Sequence, residues 1–183
     1  ASALIQRKDL TEKHKITTLW TCIGIGFLFL VFAILVSSFI SGFFKNPLIS
    51  SLIIIFSLKL FIDSFGIVNE VLLKRELLFR KLTYIEICSN LLFGIITVIM
   101  IFKGFGIISL AFGYLIKSIA KVILLWSSCY FPFYFEFDRK SFTELFNFGK
   151  HIIGSKILSY ISNSIDIVLI GKFLGATTLG YYS

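Results

Sequence analysis

The chain alternates between long apolar runs and short polar breaks. The clearest run, residues 16–44, contains no charged residue. A transmembrane helix needs about 20 consecutive, mostly apolar residues, and five runs are long enough to cross a bilayer. The pattern therefore predicts an all-α polytopic membrane helix bundle. Its five spans are 16–44, 48–73, 82–102, 105–130 and 151–171.

Basic residues are distributed unevenly among the breaks. Residues 6–15, 74–81 and 131–150 hold four, four and three Lys or Arg residues. The intervening turns each hold a single lysine: Lys45, Lys103 and Lys172. Cytoplasmic loops of membrane proteins are enriched in Lys and Arg. With five spans the three basic loops fall on one side, so we predict that loops 6–15, 74–81 and 131–150 are cytoplasmic.

Residues 131–150 differ from the spans, because several charged residues appear among aromatic ones. Ser141 precedes Glu144 by three positions, which is the spacing of a capping box. The apolar residues that follow Ser141 fall on one helical face. We expect a short amphipathic helix here, lying at the membrane interface.

Composition agrees with a membrane setting and excludes other classes. The chain is 57% hydrophobic and 15% charged, whereas a soluble domain carries about 25% charged residues. The net charge of +8 does not indicate nucleic-acid binding, because the basic residues do not share one polar face with exposed aromatics. The three cysteines are far apart, without CxxC or Cys/His pairing, so we predict no metal site, no disulfide framework and no cofactor.

Charged side chains also occur inside the predicted spans. Such a residue costs about 2.5–3.5 kcal/mol on insertion scales and usually faces a protein interior or a wet cavity. In the second span Lys59 and Asp63 are four residues apart, and Glu70 shares their helical face. In the fourth span Lys117 and Lys121 are again four apart. The fifth span has a polar stripe of Lys156, Ser159, Asn163 and Asp166.

These charges favour a hydrated cavity between helices, with a surplus of lysine that suits an anionic head group. A structural explanation remains open for single residues. Lys59 and Asp63 would neutralise each other as an intrahelical pair, and Lys121 and Lys156 would snorkel to an interface. One pair, however, does not neutralise all the lysines of the set.

Four segments resemble the polysaccharide transporter branch of the multidrug/oligosaccharidyl-lipid/polysaccharide (MOP) flippase superfamily, which includes the Wzx-type flippases. They are ALIQRKDLTE (3–12), VLLKRELLFRKL (71–82), FNFG (146–149) and IGKFLGATTLGYYS (170–183). The resemblance covers essentially the whole chain and implies a piece of a longer protein, from the end of its second helix to its seventh. The basic loops of the family are cytoplasmic, in agreement with the charge distribution.

The resemblance implies a two-lobed, MATE-like bundle with an alternating-access cavity. Residues 1–130 would belong to the N-terminal lobe, 131–150 to a cytoplasmic amphipathic linker, and 151–183 to the start of the C-terminal lobe. The cargo would be an undecaprenyl-pyrophosphate-linked oligosaccharide, moved across the bacterial inner membrane for O-antigen, capsule or exopolysaccharide synthesis. A polysaccharide polymerase and a chain-length regulator would be its partners.

A diphosphate is negatively charged, so cavity lysines complement it in a medium of low dielectric constant. The candidate substrate-binding residues are Lys59, Lys117, Lys121, Lys156, Asn163 and Asp166. Asp63 and Glu86 are candidates for pairing with these lysines or for binding a coupling ion.

Three other functions compete with a flippase. A MATE-type cation-coupled exporter would need a dominantly acidic cavity. A membrane-embedded polymerase or acyltransferase would need a large outer loop or an intramembrane catalytic His, and the sequence has neither, nor an HExxH or nucleophile-elbow motif. A purely structural bundle would not need three helices with charged faces. We therefore predict a transporter without enzyme activity.

Overall fold

The computed structural model describes residues 12–129, together with Thr143, Gly154, 158–160 and Ser162. In this part of the chain five helices follow one another and no strand occurs. They are α1 (Glu12–Phe44), α2 (Leu48–Ser64), α3 (Ile67–Arg75), α4 (Phe79–Phe102) and α5 (Ile108–Ser128). The predicted all-α helix bundle is confirmed.

The chain separates into two compact units, Ala1–Phe142 and Thr143–Ser183, and all five helices belong to the first. The amphipathic helix predicted in 131–150 and the span predicted in 151–171 lie outside the described residues, apart from isolated positions. The domain boundaries suggested by the resemblance remain predictions.

Helices α1, α4 and α5 are each long and apolar enough to cross a membrane. Helices α2 and α3 together form a fourth candidate span, which is bent by 48° at the short break between them. The described residues thus contain the first four predicted spans, and they support a multi-pass membrane protein.

The second predicted span consists of two helices, because the chain bends between α2 and α3. Around the break the backbone N–H groups of Phe65 and Gly66 donate to carbonyls only three residues back, Ile62 O at 3.1 Å and Asp63 O at 3.0 Å. Bonds of this spacing tighten the last turn of a helix. The break therefore changes direction without opening a long loop inside the membrane.

Gly66 allows the bend to lie close to α5. A Cβ atom at this position would be 3.0 Å from Leu125 Cδ1 and 3.2 Å from Val122 Cγ2. Such distances are shorter than ordinary carbon–carbon contacts of about 3.5–4.0 Å. Only glycine fits here without displacing the α5 side chains.

Two polar contacts hold the bent segment against the end of α5. Trp126 Nε1 donates to Phe65 O at 3.0 Å, and Asn69 Nδ2 donates to Cys129 O at 2.7 Å. The Asn69 side chain is fully buried. Backbone carbonyls near a helix break or end lack intrahelical partners, and these two side chains supply them.

The predicted loop 74–81 is shorter in the structure. Lys74 and Arg75 complete α3, and α4 begins at Phe79, so residues 76–78 make the connection. Leu77 has a φ of 57°, the left-handed region that a non-glycine residue rarely adopts. The basic residues of this segment therefore lie on two helix ends. Of the loop predicted at 6–15, residues 12–15 belong to α1.

The distribution of side chains is that of a protein surrounded by lipid. Large apolar residues point outward, and Leu35, Phe39 and Phe102 are 73%, 76% and 87% exposed. Between the helices lie small polar residues that are buried: Ser37, Ser57, Ser64, Ser89, Ser109 and Ser118. Small residues let membrane helices approach closely. Several of these hydroxyls donate to a carbonyl one turn back, as Ser57 does to Ile54 O at 2.9 Å, which satisfies them without water.

Candidate functional site

Seven charged side chains from four helices gather on one side of the bundle, and we call them the charged cluster. Helix α2 contributes a lysine and an aspartate, α3 a glutamate and a lysine, α4 a glutamate, and α5 two lysines. The members are Lys59, Asp63, Glu70, Lys74, Glu86, Lys117 and Lys121.

Lys121 is the central residue of the charged cluster. Its Nζ lies 3.0 Å from Glu70 Oε2 and 3.3 Å from Glu86 Oε2. It therefore joins α3, α4 and α5 through one ammonium group. A lysine with two carboxylate partners is stabilised as a cation even though its side chain is largely shielded from solvent.

Glu86 connects the two lysines of α5. Its Oε1 lies 2.8 Å from Lys117 Nζ, while its Oε2 faces Lys121 Nζ. Each carboxylate oxygen thus has its own ammonium partner. Lys117 and Lys121 are one helical turn apart and lie on the same face of α5, which is the geometry that one anion with two oxygens needs.

The other two carboxylates have lysines on their own helices. Asp63 Oδ2 lies 2.6 Å from Lys59 Nζ, and Glu70 Oε1 lies 2.5 Å from Lys74 Nζ. Both are i,i+4 pairs, which meet on one helix face. The Lys59–Asp63 contact is the intrahelical pair that the sequence left open as an alternative.

Three adjoining cavities open onto the charged cluster, and Lys121 lines all of them. One, of about 270 Å³, lies beside Glu70 and Glu86. A second, of about 130 Å³, lies beside Lys59, Asp63 and Lys117. A third, of about 320 Å³, lies under the bend near Gly66. A separate cavity of about 260 Å³ near Cys22 and Leu60 is almost entirely apolar.

The charged cluster has a surplus of positive charge, since its four lysines face three carboxylates. In the described residues no group of three His, Cys, Asp or Glu side chains has the geometry to hold a metal ion. The chemistry that this arrangement supports is the binding of an anion by lysine side chains.

The structure brings together five of the residues singled out from the sequence: Lys59, Asp63, Glu86, Lys117 and Lys121. Lys156, Asn163 and Asp166 lie outside the described residues. The roles of all eight in binding remain predictions.

Sequence reasoning missed two members of the charged cluster. Glu70 was recognised on the face of Lys59 and Asp63 but was not chosen, and Lys74 was assigned to a loop. The i,i+4 spacing of Glu70 and Lys74 was the available signal, because an ion pair at that spacing supports a helix that continues to Lys74. The contact of Glu70 with Lys121 depends on the bend and has no such signal.

Fold and site together define a multi-pass membrane protein that gathers charged side chains from several helices beside cavities. The chain belongs to the polysaccharide biosynthesis protein family, whose model matches residues 1–183. This finding confirms the family resemblance that the sequence motifs carry.

Similar proteins come from several bacteria. The chain is 32% identical to the teichuronic acid biosynthesis protein TuaB of Bacillus subtilis, over 100% of this chain and 38% of that protein. It is 26% identical to the lipopolysaccharide biosynthesis protein WzxC of Escherichia coli, over 100% of this chain and 38% of that protein. It is 27% identical to the succinoglycan biosynthesis transport protein ExoT of Rhizobium meliloti, over 100% of this chain and 37% of that protein.

The chain spans a little over a third of the length of these curated relatives. No solved structure matches it.

Proposed function

We propose that the whole protein to which this chain corresponds is a flippase for undecaprenyl-pyrophosphate-linked oligosaccharides. It moves them by alternating access from the cytoplasmic to the periplasmic leaflet of the inner membrane, for O-antigen, capsule or exopolysaccharide synthesis. Membership of the family supports a polysaccharide-related transport role, and the similar protein ExoT is named a transport protein. A polymerase and a chain-length regulator are the expected partners downstream.

The observation that carries the proposal is that Lys121 lines all three cavities beside the charged cluster. This cluster has one more lysine than carboxylates. A pyrophosphate group carries negative charge and several acceptor oxygens, which compact ammonium groups bind well. Attraction between opposite charges strengthens as the effective dielectric constant falls. A lysine-rich recess inside a membrane bundle therefore suits a lipid diphosphate better than a cationic drug.

The depth of the charged cluster fits a lipid head group. Glu86 lies seven residues after Phe79, the first residue of α4. Lys121 lies seven residues before Ser128, the last residue of α5. At 1.5 Å per residue this is about 10 Å below the helix ends. These ends adjoin the basic segments predicted to be cytoplasmic, so the recess faces the leaflet in which the cargo is assembled.

The orientation of the helices is tested by labelling single cysteines in the full-length protein, after replacement of its native cysteines. We expect cysteines at Lys45 and Lys103, in the turns after α1 and α4, to react with a membrane-impermeant thiol reagent added to intact cells. A cysteine at Arg80 should react only after the cells are opened. Labelling of Arg80 from outside would invert the proposed topology.

The function is tested by reconstituting the full-length protein in liposomes with a fluorescent polyprenyl-diphosphate oligosaccharide. We expect dithionite, which does not cross the bilayer, to quench the probe of the inner leaflet much faster with protein than without it. The same lipid oligosaccharide on a neutral linker is the matched control and should stay protected. Rates equal to those of protein-free liposomes, combined with transport of an organic cation, would replace the flippase with a cation exporter.

A further inference from the structure

The Glu86 carboxylate occupies the position that an anionic ligand of the two α5 lysines would need. Its two oxygens meet Lys117 Nζ at 2.8 Å and Lys121 Nζ at 3.3 Å. A phosphate group also presents pairs of oxygens to neighbouring donors, and contacts between ammonium groups and phosphate or carboxylate oxygens have similar lengths. An anion that enters this pair of lysines must therefore take the place of Glu86.

We propose that Glu86 is an internal competitor for a diphosphate site formed by Lys117 and Lys121. In the ligand-free protein its carboxylate neutralises the two lysines, and a phosphate group of the diphosphate displaces it on binding. This inference rests on the proposed function for the cargo, but the competition itself concerns the site alone.

Glu86 is the carboxylate of the charged cluster that is best placed to leave. Its side chain is 44% exposed, compared with 29% for Asp63 and 27% for Glu70. Asp63 and Glu70 each have a lysine on their own helix, whereas Glu86 reaches across from α4 to α5. Glu86 also lines two of the cavities beside the charged cluster, so a hydrated space is within its reach when it leaves its partners.

The surroundings of the two lysines can accept the incoming group. The cavity of about 270 Å³ lies beside Glu86 and Lys121 and is also lined by the apolar Phe79 and Leu82. The cavity of about 130 Å³ continues to Lys117 and Ser118. A phosphate entering from the first cavity reaches both ammonium groups once the carboxylate has moved aside.

Displacement of Glu86 lowers the affinity for the ligand, which is useful in a transporter. After Glu86 leaves, Lys121 still contacts Glu70, while among the described carboxylates Lys117 is paired with Glu86 alone. Part of the free energy of binding is therefore spent on separating Glu86 from the lysines. The returning carboxylate then competes with the diphosphate and repels it, so that the cargo is released.

The test measures binding of geranylgeranyl diphosphate and of inorganic pyrophosphate to the purified full-length protein in nanodiscs. We expect Glu86→Gln to lower the Kd for geranylgeranyl diphosphate about tenfold, because the isosteric amide no longer competes for the lysines. The matched control is Glu76→Gln, which makes the same change at an exposed position in the connection between α3 and α4, outside the charged cluster. Its Kd should stay within about twofold of the wild-type value.

A second variant and a stability measurement separate a change in binding from misfolding. The comparison of the two ligands shows whether the lipid chain is needed for recognition. Glu86→Ala should show the same gain as Glu86→Gln, and the thermal unfolding midpoint of each variant is recorded beside its Kd. A gain with both ligands assigns recognition to the diphosphate group itself, and a gain with the lipid alone assigns it to a lipid diphosphate. Either result supports the competition.

Equal affinity of wild type and both Glu86 variants would overturn the proposal, as would absence of binding in all of them. An equal gain in Glu76→Gln would also overturn it, because the cause would then be net charge and not competition at one position. The flippase proposal is judged separately in the liposome assay. A gain in affinity without translocation would reject the flippase and keep the competitor.

Discussion

Replacing Lys121 by Ala in the full-length protein is expected to lower surface polysaccharide at least about tenfold, which corresponds to a loss of about 1.4 kcal/mol of interaction with the cargo. A hydrogen bond to a charged group contributes about 1.5–3 kcal/mol, so loss of one lysine–phosphate contact is sufficient. Lys121 is chosen because it lines all three cavities of the charged cluster. The measurement is complementation of a flippase-deleted strain, with the protein level determined by immunoblotting.

The protein itself should tolerate this change. Without Lys121 the Glu70 carboxylate keeps Lys74 at 2.5 Å, and Glu86 keeps Lys117 at 2.8 Å. Neither carboxylate is left without a cation, so the large penalty for an unpaired charge does not arise. We expect a wild-type protein level together with a loss of polymer.

Lys103→Ala is the matched control for Lys121→Ala, because it removes the same charge from the turn after α4. It should leave surface polysaccharide unchanged. Lys121→Arg keeps the charge but replaces a compact ammonium group by a larger planar one, and it should restore part of the polymer. Full complementation by Lys121→Ala would reject the charged cluster as the cargo site while leaving the family assignment intact.

The first four apolar spans and the membrane setting could be predicted from the sequence because they depend on local composition. An uncharged stretch such as 16–44 is long enough to predict a membrane span without knowledge of its contacts. The i,i+4 spacing of Lys117 and Lys121 likewise placed both on one face of one helix. These inferences need only the periodicity of a helix, and the structure agrees with them.

The contacts between helices could not be predicted in the same way. Glu70 meets Lys121 across α3 and α5 only because the chain bends by 48° after α2. Gly66 within an apolar run was a weak indication of a bend, since glycine is common in membrane helices. The direction of the bend depends on Val122 and Leu125, which lie more than fifty residues away in sequence. Such a long-range dependence leaves no local pattern.

The second large effect is expected from Asn69→Leu, which weakens the attachment of the bent segment to α5. This change removes the 2.7 Å hydrogen bond from Asn69 Nδ2 to Cys129 O and leaves that carbonyl without its side-chain donor. A buried polar group without its partner costs about 1–3 kcal/mol, and this bond is only partly buried. Asn69 Oδ1 has no partner in the described part of the chain, so its removal offsets part of the cost. We expect a loss near the lower end of that range, seen as a lower thermal unfolding midpoint in detergent.

Asn69→Leu should also lower transport, because Asn69 precedes Glu70 on the helix that carries Glu70 to Lys121. Asn90→Leu is the matched control, since Asn90 lies exposed on α4, and both its unfolding midpoint and its transport should equal those of wild type. Trp126→Phe removes the other hydrogen bond of the bent segment, from Trp126 Nε1 to Phe65 O. It should also lower the unfolding midpoint and transport. If Asn69→Leu and Trp126→Phe both left stability and transport at wild-type values, the two hydrogen bonds would not be what holds the bent segment, and the position of Glu70 would need another cause.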